Sequence, residues 1–339
     1  MMQQTSFVTD GFELPECPTP DLGAYSKILI MMSGGKDSLA CLLHLLDHGV
    51  ERDRIELWHH EVDGREGSGL FDWPVTPAYC QAVAKAFGLE LHSSWKEGGL
   101  EREMCREDAP TAPTFFETPD GTQVRGGRGP AGTRRKFPAV AASLSTRWCS
   151  SYLKISPAEC ALRNQDRFDA TSTLVVTGER AEESRQRAQY QPLEPHRADG
   201  RNGSRKRLVD HWRPVLYWPE SAVWGIIERH RVMPHPAYFL GFSRCSCAFC
   251  IFGGATQFRT ARDVLPEQFE RISDYEESFG HTIRNGVSVR ELTNDATPYL
   301  SSQDNPMIEI ARLREFTLPI FMDEWRLPSG AFGSSSGPT

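Results

Sequence analysis

Three groups of residues in this sequence combine side chains and spacings that could do chemistry. The first is a glycine-rich run with two hydroxyls, a cation and a carboxylate: Ser33, Gly34, Gly35, Lys36, Asp37 and Ser38. The second contains Gly178, Arg180 and Ser184, and the third contains four cysteines: Cys149, Cys245, Cys247 and Cys250. Glycines and free N–H groups at a helix start favour anion binding, and spaced thiolates favour metal binding.

The elements around the first group predict that it links a strand to a helix. Residues 27–32 form a short apolar run typical of a buried strand, and residues 36–48 have apolar residues at helical spacing before Gly49. The run differs from the G-x-x-x-x-G-K-[ST] and G-x-G-x-x-G patterns. An ordinary glycine-rich turn with a Ser or Asp helix cap is the alternative.

The remaining elements predict an α/β fold with a doubly wound, mainly parallel sheet and helices on both faces. Strands are expected at 55–62, 89–92 and 173–177, and helices at 76–87, 156–167, 220–230 and 266–279. Residues 108–138 and 192–208 are expected to be loops. Since ligands bind at the carboxyl ends of parallel strands, the first two groups are expected to meet there.

The expected organisation has four parts. Residues 1–25 are an N-terminal extension, 26–235 the nucleotide-type α/β domain, 236–327 a small helical subdomain with the late cysteines, and 328–339 a disordered tail rich in Gly and Ser.

Composition excludes several classes of protein. With 38 Lys and Arg against 45 Asp and Glu, the net charge of −7 excludes a basic coat over the whole chain. Nine cysteines are an odd and unevenly spaced set, so a disulfide scaffold is not expected. Neither a targeting segment nor an apolar run of about 20 residues is evident, which predicts a cytoplasmic protein without membrane contact.

The motifs resemble those of a known family. Residues 33–38 (SGGKDS) after an apolar strand resemble the PP-loop of the adenine nucleotide alpha-hydrolase superfamily. Residues 147–154 (RWCSSYLK) and 177–185 (TGERAEESR) resemble the R-x-C-x-x-x-x-K and G-x-R-x-x-E-S segments of the phosphoadenosine phosphosulfate reductase family. Residues 211–214 (HWRP) and 223–224 (VW) resemble two further elements of that family.

The resemblance implies binding of ATP or a related adenine nucleotide, with Mg²⁺. It places the nucleotide on the six PP-loop residues and on Asp63, Arg147, Lys154, Gly178, Arg180 and Ser184. Lys36, Asp37 and Arg180 are expected to act in catalysis. For the charged residues 182–187, simple surface pairs along a helix are the alternative.

The resemblance also implies a 4Fe-4S cluster on Cys149, Cys247 and Cys250, with Cys245 as a candidate fourth ligand. Three protein ligands, a zinc ion, or no metal are the alternatives. Family reductases attack sulfate with a late cysteine, and no cysteine follows Cys250 here. This favours an ATP pyrophosphatase that adenylylates an acceptor for sulfur transfer, as in the DNA phosphorothioation branch.

Two other functions stay open. One is sulfonucleotide reduction with a relocated or borrowed thiol, and the other is a non-catalytic nucleotide-binding role in a nucleic-acid-processing system. Basic stretches at 125–136 and 197–213 could close over phosphates or contact a nucleic acid acceptor, or could be solvated loops. A sulfur donor such as a cysteine desulfurase, or a reductant protein, is the expected protein partner.

Overall fold

An eight-stranded sheet runs through the computed structural model of the protein, which describes residues 17–67, 69–141, 143–302 and 304–333. The strands, β1 to β8 in chain order, are Lys27–Met31, Ile55–Glu61, Glu90–Lys96, Thr114–Thr118, Gly121–Arg125, Ser172–Val176, Leu193–Pro195 and Leu208–Trp212. They lie in the order β5-β4-β3-β2-β1-β6-β8-β7.

The five central strands of this sheet are parallel. Strands β3, β2, β1, β6 and β8 run in one direction, and β4, β5 and β7 pair antiparallel at the two edges. After β1 the chain adds strands on one side and then returns to β6 on the other. This reversal opens a crevice at the carboxyl ends of β1 and β6, and the predicted doubly wound α/β fold is confirmed.

The helices connect and cover the strands. They are, as α1 to α11, Lys36–Asp47, Thr76–Phe87, Gly99–Met104, Trp148–Ser150, Ser156–Arg163, Glu220–Arg229, Pro236–Phe239, Ala255–Val264, Pro266–Phe279, Val289–Asn294 and Met307–Arg312. A π-helical turn, Ser151–Ile155, joins α4 to α5.

Alternation along β1 explains why helices cover both faces. Ile28 and Ile30 point into a core shared with α1, α2 and α6, whereas Leu29 packs on the opposite face with Trp58 and Phe168. A third core joins the C-terminal helices to residues 62–75 and 137–153. The predicted domain boundaries stay a prediction.

The prediction that residues 108–138 are a loop was wrong in part. Strands β4 and β5 form a hairpin there, joined at Pro119-Asp120. The missed signals in the sequence were the β-branched and aromatic residues at 114–116 and the Pro-Asp-Gly turn at 119–121. The stretch 192–208 likewise contains β7.

The predicted helix 156–167 is shorter than expected. It ends at Arg163, where the Asn164 side-chain amide donates to the Cys160 carbonyl at 2.8 Å.

The expected disordered tail begins with ordered residues. Gly330 N–H donates to the Tyr238 carbonyl at 2.7 Å, and Ser329 Oγ to the Phe239 carbonyl at 2.8 Å. Residues 334–339 of that tail and residues 1–16 of the N-terminal extension lie outside the described residues. No helix in the described part of the chain is long and apolar enough to span a bilayer.

Candidate functional site

The PP-loop lies in the crevice, between the end of β1 and the start of α1. The hydroxyls of Ser33 and Ser38 are 3.2 Å apart, and Gly35 N–H donates to Ser33 Oγ at 3.3 Å. Ser33 is exposed to solvent. The loop therefore offers hydroxyls and a helix N-terminus at the edge where ligands bind.

The two glycines of the loop differ in their backbone conformation. Gly34 has φ +79°, a left-handed conformation that favours glycine. Gly35 has φ −82° and ψ 160°, which any residue adopts. A Cβ on Gly35 would lie 3.4 Å from Tyr238 Oη and 3.5 Å from Cys245 Cβ, ordinary contact distances. The fold does not require glycine at position 35, but close approach of an anion would.

The side chain of Lys36 does not lie at the surface, where a lysine that binds phosphate would be expected. Its side chain is buried, and Nζ donates to the Ser243 carbonyl at 3.1 Å. Nζ also lies 3.6 Å from Glu220 Oε1 and 3.7 Å from Asp37 Oδ2. The ammonium thus faces the interior of the protein, and its catalytic role stays a prediction.

The second anion-binding segment contacts the first directly. A Cβ on Gly178 would lie 2.6 Å from the Asp37 carbonyl carbon and 2.9 Å from Ser38 N, so only glycine fits. Arg180 Nε donates to Asp37 Oδ1 at 2.5 Å, and the guanidinium also pairs with Glu182. The crevice thereby brings together two motifs that are 140 residues apart in the chain, as Gly178 (178 − 38 = 140) abuts Ser38.

Electrostatics at this junction keep Asp37 ionised. Burial alone would raise the pKa of Asp37, but Lys36 and Arg180 outweigh it and hold the pKa below its usual range. The same pairing raises the pKa of Arg180. Arg180 is therefore charged and already paired, so it would have to exchange a carboxylate for a phosphate on nucleotide binding.

Two other predicted nucleotide ligands organise local turns. The Asp63 carboxylate accepts N–H groups from Phe71 at 3.0 Å and Asp72 at 2.8 Å, which shapes the loop after β2. Burial and the charge of Asp72 raise the pKa of Asp63 to about 7 despite these hydrogen bonds. Ser184 Oγ accepts Arg187 N–H at 3.2 Å. Their roles toward a nucleotide stay predictions.

Lys154 lies in a cleft beside the cysteines. It is exposed to solvent, yet burial acts to lower its pKa, so protein surrounds it on most sides. The pKa of Lys154 is nevertheless raised, because the negative charges of neighbouring groups favour its ammonium form. These groups are Cys247, Asp72, Cys149 and Cys250. Water reaches Lys154, and the lysine faces three thiols and a carboxylate. This arrangement indicates a polar cleft.

Cys245 lies against the PP-loop. Its Cβ would be 3.5 Å from a Cβ placed on Gly35, and the residue is partly exposed. Burial and Asp72 raise the pKa of Cys245, while Lys154 and Lys36 lower it. Cys245 thus lies between the PP-loop and the cleft.

The remaining candidate ligands, Cys149, Cys247 and Cys250, influence one another electrostatically. Burial raises the pKa of Cys149 and of Cys247, and Cys250 adds to both. No three cysteine sulfurs among the described residues lie within 4.8 Å of one another. A metal or cluster on these cysteines stays a prediction.

Arg147, next to Cys149, has spare donor capacity. Its guanidinium lies 5.8 Å from the Phe252 ring centroid. Its Nε is buried and has no hydrogen-bond acceptor among the described residues. An anion in the cleft would satisfy it, consistent with its predicted ligand role.

A second cluster of candidate metal ligands lies at the opposite, amino edge of the sheet. One ligand atom each of Glu56, Glu90 and His92 lie within 4.8 Å of one another. Arg167, however, donates to both carboxylate oxygens of Glu56, at 2.5 and 2.9 Å, and Lys27 lies 3.4 Å away. The charge of Glu56 is already balanced, so this cluster does not call for a cation.

Most cations of the two basic stretches are paired within the protein. Arg134 donates to Glu103 at 2.9 Å and covers the Trp148 ring. Further ion pairs join Arg135 to Glu107, Arg201 to Asp199 and Asp210, and Arg205 and Arg207 to Asp169. Arg125, Arg128 and Lys136 are exposed without an acidic partner in the described residues. The cationic surface is smaller than the sequence indicates.

Two site residues had no sequence signal. Tyr238 Oη accepts Lys36 N–H at 2.9 Å, and Asp72 lies close to the cysteines and Lys154. Both come from segments without a recognisable motif, so only the tertiary structure brings them to the site.

Comparison with known proteins gives one family match. Residues 130–252 match the family model of the phosphoadenosine phosphosulfate reductase domain. This segment includes Gly178, Arg180, Ser184 and the four cysteines, but not residues 33–38. Over this segment the chain is similar to phosphoadenosine phosphosulfate reductase domains.

Two relatives show how far the similarity extends. An uncharacterized 37.8 kDa protein of Escherichia phage 186 is 26% identical over 322 residues, which is 87% of this chain and 86% of the phage protein. An uncharacterized protein of Methanocaldococcus jannaschii is 26% identical over 137 residues, 40% of this chain and 30% of the archaeal protein. The first similarity covers most of both chains.

Proposed function

We propose that the protein is an ATP pyrophosphatase that adenylylates an acceptor for sulfur transfer and holds a 4Fe-4S cluster. The observation that carries this proposal is the position of Cys245, which lies against the PP-loop and within electrostatic reach of Lys154. An enzyme that activates an acceptor and then delivers sulfur needs both functions side by side. The domain match supports binding of an adenine nucleotide.

The PP-loop residues are suited to hold the phosphates. Ser33 and Ser38 supply hydroxyls, and the N-terminus of α1 adds its partial positive charge. Mg²⁺ enters with the triphosphate, since it usually keeps phosphate and water ligands and takes few from protein.

Arg180 is the group best placed to stabilise charge at the α-phosphate. An acceptor oxygen attacks the α-phosphorus, the bond to the bridging oxygen breaks, and pyrophosphate leaves with its electron pair. Arg180, held on the first turn of α1 by Asp37, would turn one donor toward the new charge. Asp37 orients that guanidinium and does not itself contact the reacting atoms.

Cys149, Cys247 and Cys250 would hold the cluster. They surround Lys154, whose ammonium offsets the negative charge of thiolate ligands. Such a cluster supplies redox and Lewis-acid chemistry to sulfur when bound. Cys245, against Gly35, is left on the nucleotide side.

Anaerobic incubation with ATP and candidate acceptors tests the proposal, with pyrophosphate and AMP as the measured products. Ser33→Ala, at the exposed loop hydroxyl, should lower product release by about tenfold or more, the effect of one lost charge-directed donor. Ser143→Ala, an exposed serine bonded to Ser145, is the matched control and should have no effect. Sulfite release from a sulfonucleotide, with no pyrophosphate from ATP, would contradict the proposal.

A second function is favoured by the position of Cys245. A thiol beside the PP-loop could replace the late cysteine of the family reductases and attack a sulfonucleotide. Sulfite release that depends on thioredoxin and is abolished by Cys245→Ser would establish this alternative. A nucleic acid acceptor and a cysteine desulfurase partner belong to the first function and stay proposals.

A further inference from the structure

One hydroxyl group fastens the PP-loop to the cysteine segment. Tyr238 Oη accepts the backbone N–H of Lys36, the first residue of α1, at 2.9 Å. The backbone of Cys245 hydrogen bonds to the same phenolic oxygen. Two segments more than 200 residues apart therefore meet at a single buried atom.

The tyrosine itself is held firmly on all sides. Its ring packs edge-on against Trp224 at 5.1 Å, and Lys36 Nζ lies 5.7 Å from the ring centroid. Its carbonyl accepts Gly330 N–H at 2.7 Å. A Cβ on Gly330 would lie 2.2 Å from the Phe242 carbonyl oxygen, so the terminal segment presses closely on this turn. The hydroxyl has little freedom to move.

A second bond ties the same two segments together. Lys36 Nζ donates to the Ser243 carbonyl at 3.1 Å, two residues before Cys245. Both the backbone and the side chain of Lys36 thus hold the cysteine segment. Under this double restraint, the side chain of Cys245 is kept against Gly35.

We propose that Tyr238 is a positioning residue that keeps the Cys245 thiol beside the phosphates of the bound nucleotide. This inference rests on the proposed nucleotide binding and names how the PP-loop and the cysteine segment are coupled. Without the phenolic oxygen, two buried N–H groups lose their acceptor, and the cysteine segment can move away from the loop. This coupling of the PP-loop to the cysteine segment requires no rearrangement of the strands and helices.

The test compares Tyr238→Phe with Tyr79→Phe in the full chain. Tyr79 is also buried, and its hydroxyl donates to the Met233 carbonyl at 2.8 Å rather than to Lys36 or to the cysteine segment. Each variant loses a buried phenolic hydroxyl and keeps the ring. A merely structural role would lower the melting temperature of both variants without changing how ATP affects Cys245.

The measured quantity is the rate of Cys245 alkylation by iodoacetamide, with and without ATP, by peptide mass spectrometry of anaerobic protein. ATP should slow the reaction at least about tenfold in the wild type and in Tyr79→Phe, because the phosphates cover an accessible thiol. In Tyr238→Phe, ATP should still bind, as calorimetry will show, but should change the rate less than about twofold.

Two results would overturn the inference, and they differ from failure of the proposed function. Wild-type protection of Cys245 in Tyr238→Phe would exclude the positioning role. Calorimetric ATP binding to the wild type without any protection of Cys245 would show that this thiol does not face the phosphates. Absence of ATP binding to the wild type would contradict the proposed function as well.

Discussion

The Gly35→Ala substitution should weaken nucleotide binding and leave the free energy of unfolding nearly unchanged. The backbone at Gly35, φ −82° and ψ 160°, suits alanine, and the new methyl group would meet only ordinary contacts at 3.4–3.5 Å. Restricting the unfolded chain stabilises the variant by about 0.4–1 kcal/mol. Alanine is a poorer N-cap than glycine, which costs about 0.5–1 kcal/mol. The two effects offset, so the free energy of unfolding should stay within about 1 kcal/mol of the wild type.

Nucleotide affinity should respond differently. The methyl group would lie 3.4 Å from Ser33 Oγ, the exposed hydroxyl that we propose binds phosphate. We expect the Kd for ATP to rise at least tenfold, a loss of about 1.4 kcal/mol. Isothermal titration calorimetry measures the affinity, and urea unfolding measures the stability.

Gly34→Ala is the matched control in the same loop. Its φ of +79° costs an alanine about 1–2 kcal/mol, and the methyl group would lie 3.3 Å from Thr76 Cγ2. It should lose stability, whereas Gly35→Ala should lose affinity. Wild-type ATP affinity in Gly35→Ala would refute the reasoning that position 35 is kept open for an anion.

Three further predictions concern packing, pH and the cysteines. Gly178→Ala forces a methyl group onto the first turn of α1 and should lower the free energy of unfolding by about 1–3 kcal/mol, as measured in urea; an unchanged value would rule out the close contact. The pKa of Asp63, raised to about 7, lies above its unfolded value of about 3.9, so the stability it contributes is full below pH of about 4 and is lost as pH rises through 7. Asp63→Asn should flatten that loss in urea unfolding at several pH values, and an unchanged profile would assign it to another group. Cys247→Ser should abolish the absorbance shoulder at about 400 nm that the proposed cluster would give the anaerobic protein. Cys245→Ser should retain this shoulder. Equal loss in both variants would make Cys245 a fourth ligand.

The local patterns in the sequence predicted the central elements well. Apolar residues at 27–32, followed by glycines and a helical repeat, predicted β1, the PP-loop and α1, because each of these elements depends on neighbouring residues alone. The hairpin of β4 and β5 was missed because proline, glycine and charge dominated the composition around it. Its signals, β-branched and aromatic residues and the Pro-Asp-Gly turn, cover only eight residues, 114–121.

The site was harder to predict, since it depends on contacts between distant segments. A lysine in the PP-loop suggests a phosphate ligand, but Trp224, Glu220 and Ser243 draw the Lys36 ammonium into the interior. The separation of Cys245 from its neighbours likewise follows from Tyr238, which no spacing rule indicates. Most acidic partners of the basic stretches lie outside those stretches, such as Glu103 and Asp169, so the sequence does not show the pairing.

Phosphorus NMR of ATP incubated with the anaerobic protein and candidate acceptors tests the proposed function most directly, because it shows which phosphate bond breaks. We predict resonances of pyrophosphate and AMP in equal amounts, strongly reduced in Ser33→Ala and in Gly35→Ala. Formation of ADP and inorganic phosphate, or product release that is the same in these variants, would contradict attack at the α-phosphate in this PP-loop.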